Sequence, residues 1–362
     1  MGHTVLSVAY PFSEVGPDAI GGSEQILTEL DRGLTAAGHT SVVIAASGSK
    51  VRGTLIAGPK AKDRLNDAIR EAGQRMHKQL ILEALARFPI DLIHMHSLDF
   101  HRYLPDSSIP ILATLHLPPD WYPPEILRLK RRHFYLNCVS STQRRACPNS
   151  PLLLPSIPNG VDVKRLGIKD SPRKFVLALG RICPEKCFHL ALDAAKKARV
   201  PMVLAGQVFP YKSHLKYFRE KIAPRLDRWR RFIGPVGFHQ KRKLLSQARC
   251  LLVASSVAET SSLVTMEALA CGTPVVAYRT GALPEIVDHE RTGFLVSNIR
   301  EMAEAIHQTA EIDPDNCRGA ALTRFSSEAM VRSYLEVYDR IIQKARWEEP
   351  ERVRPGRSWL VA

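Results

Sequence analysis

The chain lacks any apolar run near the roughly 20 residues that a helix needs to cross a bilayer, so no membrane-spanning helix is expected. A basic leader is missing as well. Met1-Gly-His-Thr-Val-Leu-Ser-Val-Ala9 reads as a first strand, and no signal peptide is expected. Cysteine is sparse and odd in number, seven in all, at 138, 147, 183, 187, 250, 271 and 317. That count speaks against a disulfide framework and for reduced thiols in a cytoplasmic protein. Cys183 and Cys187 form a C-x(3)-C with no second pair, which reads as small buried thiols rather than a metal site. Zinc-finger spacing, RNA-binding signatures and a basic zipper are all missing, which leaves nucleic acid a minor candidate as a partner. No G-x-G-x-x-G follows a strand, which argues against a dehydrogenase. Acidic residues are in deficit, 36 against 51 basic, for a formal charge of +15. Such a field draws polyanions, a nucleotide diphosphate or an anionic lipid among them, and says nothing about fold.

What is present is alternation. Apolar strand-like runs at Thr4–Ala9, Ser41–Ala46, Asp91–His96, Ile111–Leu115 and Asn137–Ser140 are followed by others at Phe175–Leu179, Met202–Ala205, Cys250–Ala254 and Pro274–Ala277. Helical patterns separate them at Glu24–Ala37, Ala61–Arg87, Phe188–Ala198, Arg242–Ala248 and Met302–Ala310. Strands spaced by helices predict an α/β protein with parallel sheets, here two Rossmann-like ones. A length of 362 residues is too long for one typical core and also points to two domains. The breaker-rich stretch from Pro151 to Ser171 marks the boundary, with Pro155, Pro158 and Asn159-Gly160 inside it. The expected division is residues 1–165, 166–325, a helix over 326–345 and a basic tail over 346–362.

The most informative segment is Glu259-Thr-Ser-Ser-Leu-Val-Thr-Met-Glu267, followed by Ala268-Leu-Ala-Cys-Gly272. A short apolar strand runs into Glu259, Ser261 or Ser262 can cap a helix, and Gly272 can stop it. The first-turn amides near Leu263 and Val264 lack intrahelical partners and favour an anion. One carboxylate lies just outside that turn and one inside, a layout suited to a nucleotide-sugar.

This stretch resembles the E-x(7)-E region of family-four retaining glycosyltransferases, which have the GT-B fold. Matching motifs follow in order: Gly21-Gly-Ser-Glu24, His94-Met-His96, His116, Ile157-Pro-Asn-Gly-Val-Asp162, Gly180-Arg-Ile-Cys-Pro-Glu-Lys186 and Gly281-Ala-Leu-Pro-Glu285-Ile-Val. The resemblance implies two Rossmann-like domains facing a cleft. The N-terminal one lies on the acceptor side, the C-terminal one binds the nucleotide-sugar, and the last helix crosses back to the first domain. It implies Arg181 and Lys186 on the donor diphosphate, with Ser262, Leu263 and Val264 at the phosphate turn. Gly21 and Gly22 would contact phosphate or transferred sugar, His116 would face that sugar, and Glu267 would hold the ribose.

With Glu267 on ribose, no nucleophile stands opposite Glu259. A front-face route fits better, the leaving diphosphate helping to deprotonate the acceptor hydroxyl. The expected reaction moves a hexose, with retention, from a nucleotide diphosphate-sugar to an acceptor hydroxyl. A UDP-sugar is favoured over a GDP-sugar, and no metal or other cofactor is expected. The acceptor is read as a saccharide or a lipid.

Two departures stand out. Cys187 occupies a position usually held by Gly, and Thr260-Ser261-Ser262 stands where many relatives have Pro-Phe-Gly. Asp313-Pro-Asp315 looks like a metal-binding D-x-D but reads as a helix start. His94 and His96 project from one strand face without a third ligand, which suits structural or acceptor-side contacts. Trp121-Tyr122 with Arg128, Lys130, Arg131 and Arg132 could rest on an anionic membrane, and Lys212 to Arg231 is a second basic stretch. A sugar-nucleotide epimerase of the same fold, or a non-catalytic sugar-nucleotide or nucleic-acid binder, are the rival readings.

Overall fold

Residues 2–60, 65–167 and 175–348 are described in the structure, a computed structural model. The start of the helix expected from Ala61 and the basic tail fall partly or wholly outside them. The first half contributes β1 (Thr4–Val8), α1 (Gly22–Ala36), β2 (Thr40–Ser47), β3 (Thr54–Lys60), α2 (Asp67–Arg87), β4 (Leu92–Met95), β5 (Ile111–Leu115), β6 (Phe134–Cys138), α3 (Ser141–Ala146) and α4 (Val163–Leu166). The second contributes β7 (Phe175–Leu179), α5 (Phe188–Ala198), β8 (Met202–Ala205), α6 (Lys212–Tyr217), β9 (Arg230–Phe232), α7 (Phe238–Gln247), β10 (Ala248–Val253) and α8 (Leu263–Ala270). It continues through β11 (Val275–Tyr278), α9 (Leu283–Ile286), β12 (Gly293–Val296), α10 (Ile299–Gln308), α11 (Pro314–Arg324) and α12 (Ser327–Glu348).

Two six-stranded parallel sheets result, ordered β3-β2-β1-β4-β5-β6 and β12-β11-β10-β7-β8-β9. Each is the doubly wound order, in which the strand sequence reverses direction between two central neighbours: β1 and β4 in one sheet, β7 and β10 in the other. Central strands such as β1, β5 and β8 are buried along their whole length, as expected where helices cover both faces. Three strands escaped the sequence reading, β3, β9 and β12, and β6 begins three residues earlier than expected.

Helix α12 packs on the first sheet rather than the second. Met330, Tyr334, Val337, Tyr338 and Ile341 lie against Val5, Leu92 and Leu112 and against Ile26, Leu30 and Leu34 of α1. Its two tyrosines are fully buried, worth on the order of 2–3 kcal/mol each only if their hydroxyls are satisfied. They are. Tyr338 OH meets His94 Nδ1 at 2.6 Å, His94 Nε2 meets Thr114 Oγ1 at 2.7 Å, and Asn137 Nδ2 donates to Tyr334 OH at 3.2 Å. His94 therefore has both ring nitrogens engaged in anchoring the helix. At the crossing, Val161 N donates to Phe325 O and Ser327 N to Val161 O, both at 2.8 Å, so the two passages of chain between the halves lie side by side.

Candidate active site

Ligands in such sheets sit beyond the carboxyl ends of the strands at the switch point. The segment after β1 ends in Gly21 and Gly22, and that after β4 begins with His96. The segment after β7 carries Arg181 and Lys186, and that after β10 carries Glu259 and leads into α8. His116 follows β5, next in order. Apart from His116, the residues expected in the site thus leave from the strands of the two switch points or from the helix that follows one of them.

Contacts bring these segments together. A methyl group on Gly22 would sit 3.6 Å from Leu263 Cδ1, so the glycine turn of one half faces the first turn of α8 in the other. Thr260 Oγ1 donates to the main-chain oxygen of His116 at 2.8 Å. The Glu285 carboxylate accepts from Ser141 N at 3.0 Å and from Thr142, and so caps α3 across the interface. Within the second half, Gly281 (φ +54) lets the turn before α9 pack on the Glu259 backbone: a Cβ there would lie 2.3 Å from the backbone N and O of Glu259.

The two carboxylates are each matched to a lysine. Lys186 Nζ lies 2.6 Å from Glu259 Oε1, and Ser255 Oγ donates to the same oxygen. Lys241 Nζ lies 2.5 Å from Glu267 Oε1. Both carboxylates are more than nine-tenths buried, where a lone charge would be costly and a paired one is tolerated. Lys186, expected on the diphosphate, therefore also orients Glu259. Lys241 was not singled out from sequence, because one lysine on a basic helix gives no signal. Arg181 is exposed and makes no side-chain hydrogen bond or ion pair among the described residues.

The helix start of α8 is open: Ser262 precedes it, and its side chain accepts from no first-turn amide. Instead Ser262 Oγ accepts from Thr265 Oγ1 at 2.8 Å, which corrects the expectation of a serine cap. The first-turn amides of α8 remain available to an anion. The start of α1, after Gly21, is covered by the Glu24 carboxylate, which accepts from its own amide. Cys187 adopts φ +47, the left-handed region, which explains why glycine suits that position. Glu24 folds back over Gly21, where a Cβ would meet its Oε2 at 1.9 Å. Burial raises its carboxyl above the usual range, against a smaller opposing pull from hydrogen bonds and Arg181.

His116 is held from behind. Its N–H donates to Tyr122 OH at 2.9 Å, and Gln143 Nε2 donates to the carbonyls of Leu115 and Leu117 at 2.7 and 2.8 Å. Its ring stacks on His96, with Nε2 at 3.1 Å from His96 Nδ1. Burial pushes His116 down to about 4 and holds His94 and His96 well below the ordinary range, so all three imidazoles are neutral near pH 7. Such a ring exchanges hydrogen bonds rather than charge with a sugar.

A recess lies beside Glu267, lined by Lys241 and Phe238 from the second half and by Gly16, Pro17, Thr28 and Arg165 from the first. The Arg165 guanidinium stacks 4.3 Å over the Phe238 ring. The surface stretches are less free than their composition suggests. Trp121 is 47% exposed, but Tyr122 is buried and Arg131 donates to the carbonyls of Pro105 and Ser107. Asp313 caps α11 by accepting from Asp315 N at 2.8 Å, so the D-x-D is a helix start. Among the described residues no helix is long and apolar enough to cross a membrane.

Two doubly wound sheets with facing switch points define a GT-B protein. The profile described as Glycosyltransferase Family 4 matches residues 20–165, and that described as Glycosyl transferases group 1 matches residues 173–311. The chain belongs to the family-four glycosyltransferases. It is 30% identical to D-inositol 3-phosphate glycosyltransferase 2 of Catenulispora acidiphila over 222 residues, 52% of this chain and 50% of that one. The matched stretches span about a third to a half of the length of the curated relatives. Among solved structures, sucrose-phosphate synthase of Thermosynechococcus elongatus superposes with a TM-score of 0.76 at 20% identity, covering 94% of this chain and 100% of that one. Anabaena HepE in complex with UDP-glucose gives 0.71 at 18%, covering 93% and 99%. At these identities the likeness speaks for the fold.

Proposed function

We propose that this protein is a retaining glycosyltransferase that moves a hexose from a nucleotide diphosphate-sugar to an acceptor hydroxyl. The observation that carries the reading is the pair of lysine-matched carboxylates, Glu259–Lys186 and Glu267–Lys241, astride an uncapped helix start at a switch point. The diphosphate lies on the first-turn amides of α8 with Arg181 and Lys186 beside it. Glu267 binds the ribose hydroxyls, and the base enters the recess of Phe238 and Arg165.

Glu259 and His116 border the transferred sugar from opposite sides of the cleft. As the glycosidic bond breaks, positive charge grows on the ring and negative charge on the leaving diphosphate. Glu259 stabilises the first, and the cations with the helix amides stabilise the second. The acceptor hydroxyl attacks from the same face and passes its proton to the departing phosphate oxygen. Positioning and charge do the work, so no divalent cation on the diphosphate is required.

A UDP-sugar is the preferred donor, in keeping with the UDP-glucose bound by the HepE structure. The acceptor is a saccharide or a lipid, and the exposed Trp121 beside its basic neighbours suits contact with an anionic surface. The experiment is a thermal-shift screen of UDP-, GDP- and ADP-sugars followed by a product assay. A donor at a hundred times its Kd adds about 2.7 kcal/mol of stability, so the true one stands out. No shift with any nucleotide-sugar would overturn the reading.

A further inference from the structure

Cys183 and Glu185 lie on the loop between β7 and α5, and His214 lies on α6. The Cys183 Sγ, a Glu185 carboxylate oxygen and a His214 ring nitrogen all fall within 4.8 Å of one another. Cys183 is 1% exposed and His214 9%. The Nδ1 of His214 is buried and has no hydrogen-bond partner. A buried polar atom left in that state costs about 1–3 kcal/mol, and a native fold that keeps one has something to place against it.

We propose that Cys183, Glu185 and His214 bind a zinc ion. A thiolate, an imidazole and a carboxylate form a set that suits zinc, whereas magnesium, manganese and calcium prefer oxygen ligands throughout. In a tetrahedral zinc site the ligand atoms stand roughly 3.5 Å apart, so shifts of about an ångström close the present cluster around an ion. Three protein ligands leave a fourth position for water. Binding takes the proton from the Cys183 thiol and releases it to solvent.

The ion adds a link between two segments that Ile182 N, donating to Gln207 O at 2.9 Å, already brings side by side. One is the turn that also carries Arg181 and Lys186, and the other is the segment after β8. Arg181 is close enough to act on the charges of both Glu185 and His214. Zinc here positions the diphosphate-binding loop and takes no part in bond breaking. Spacing along the chain offers little sign of the site, because Cys183 has no second cysteine pair to go with it and His214 lies 31 residues further on.

The test uses the full chain stripped of metal and titrated with Co2+, whose thiolate complexes absorb strongly in the near ultraviolet. One equivalent is expected to produce that band and Zn2+ to abolish it. Cys183→Ser is expected to lose the band, and His214→Ala to weaken cobalt affinity at least about tenfold. On the unaltered protein, Zn2+ is expected to slow alkylation of Cys183, followed peptide by peptide in a mass spectrometer, which does not depend on how the variants fold. The proposal is overturned if no cobalt binds at micromolar concentration, if the band survives in Cys183→Ser, or if Zn2+ leaves the alkylation of Cys183 unchanged.

Discussion

Thr260 Oγ1 donates 2.8 Å to the main-chain oxygen of His116, and this bond joins the glutamate-bearing loop of one half to the histidine-bearing loop of the other. A proline, common at this position in relatives, could not make it. The bond fixes how far apart Glu259 and His116 stand. A neutral hydrogen bond contributes about 0.5–1.5 kcal/mol. Thr260→Val is therefore expected to weaken donor binding roughly two- to tenfold while leaving the fold intact. Titration calorimetry with the donor nucleotide checks it, and unchanged affinity would mean that the contact is incidental.

Arg181 and Lys186 are expected to separate in their effects. Each loses a charge-assisted contact to the diphosphate when changed to Ala, worth about 1.5–3 kcal/mol, or roughly ten- to a hundredfold in nucleoside diphosphate affinity. Lys186 also holds Glu259 at 2.6 Å, so Lys186→Ala should lower kcat as well. Arg181 has no such partner, and Arg181→Ala should act mainly on affinity. Equal diphosphate binding by both variants and the unaltered protein would remove them from the site.

Much of this was legible from the sequence, and the gaps have a common physical cause. Apart from β6, an edge read three residues late, the strands that were read are the inner ones, whose apolar runs are buried on both faces. The missed ones, β3, β9 and β12, are all edges of their sheets. Edge strands carry charge and breakers, as Arg230-Arg231-Phe232 and the Gly58-Pro59 of β3 do, and periodicity does not reveal them. The glutamates, Arg181 and the glycine turn were singled out because they fall in ordered motifs. Lys241, Glu24 and Ser255 were not given roles, because each gains meaning only from a partner brought close by the fold.

Stability is expected to fall as pH drops from about 6.5 towards 4. Burial lowers the folded-state values of His77 and His116 to about 4, and those of His94 and His96 well below 6.5. Below pH 6.5 the unfolded chain takes up protons that the folded chain refuses, so each such histidine removes up to about 1.4 kcal/mol per pH unit. Glu24 and Glu29, whose carboxyls burial raises, act in the opposite sense but are fewer. Urea midpoints at pH 7.5 and 5.5 measure the sum, and equal midpoints would show that these rings gain protons without unfolding.

Magnesium and manganese are expected to leave turnover unchanged. In the proposed mechanism the diphosphate charge is met by Arg181, Lys186 and the open first turn of α8, and the two carboxylates beside that turn, Glu259 and Glu267, are each engaged by a lysine. Assays of the purified protein with and without each cation decide the point, and strict dependence on either would contradict the proposed mechanism.

Glu259 and Glu267 are assigned to different parts of the donor, and so to different kinetic constants. In the proposed mechanism Glu259 borders the ring on which positive charge develops, so its interaction strengthens in the transition state. Glu259→Gln is expected to lose turnover more than donor affinity. Glu267 is assigned to the ribose, which does not change during reaction, so Glu267→Gln should mainly raise the donor KM. Both variants have a further cost. Each leaves a partly buried lysine, Lys186 or Lys241, without its counter-charge, so both must be assayed at a temperature where each is folded. Front-face departure and attack also require the product to keep the donor's anomeric configuration, which NMR of the product reads directly. An inverted anomer would refute the mechanism, and a larger kcat defect in Glu267→Gln would exchange the roles of the two carboxylates.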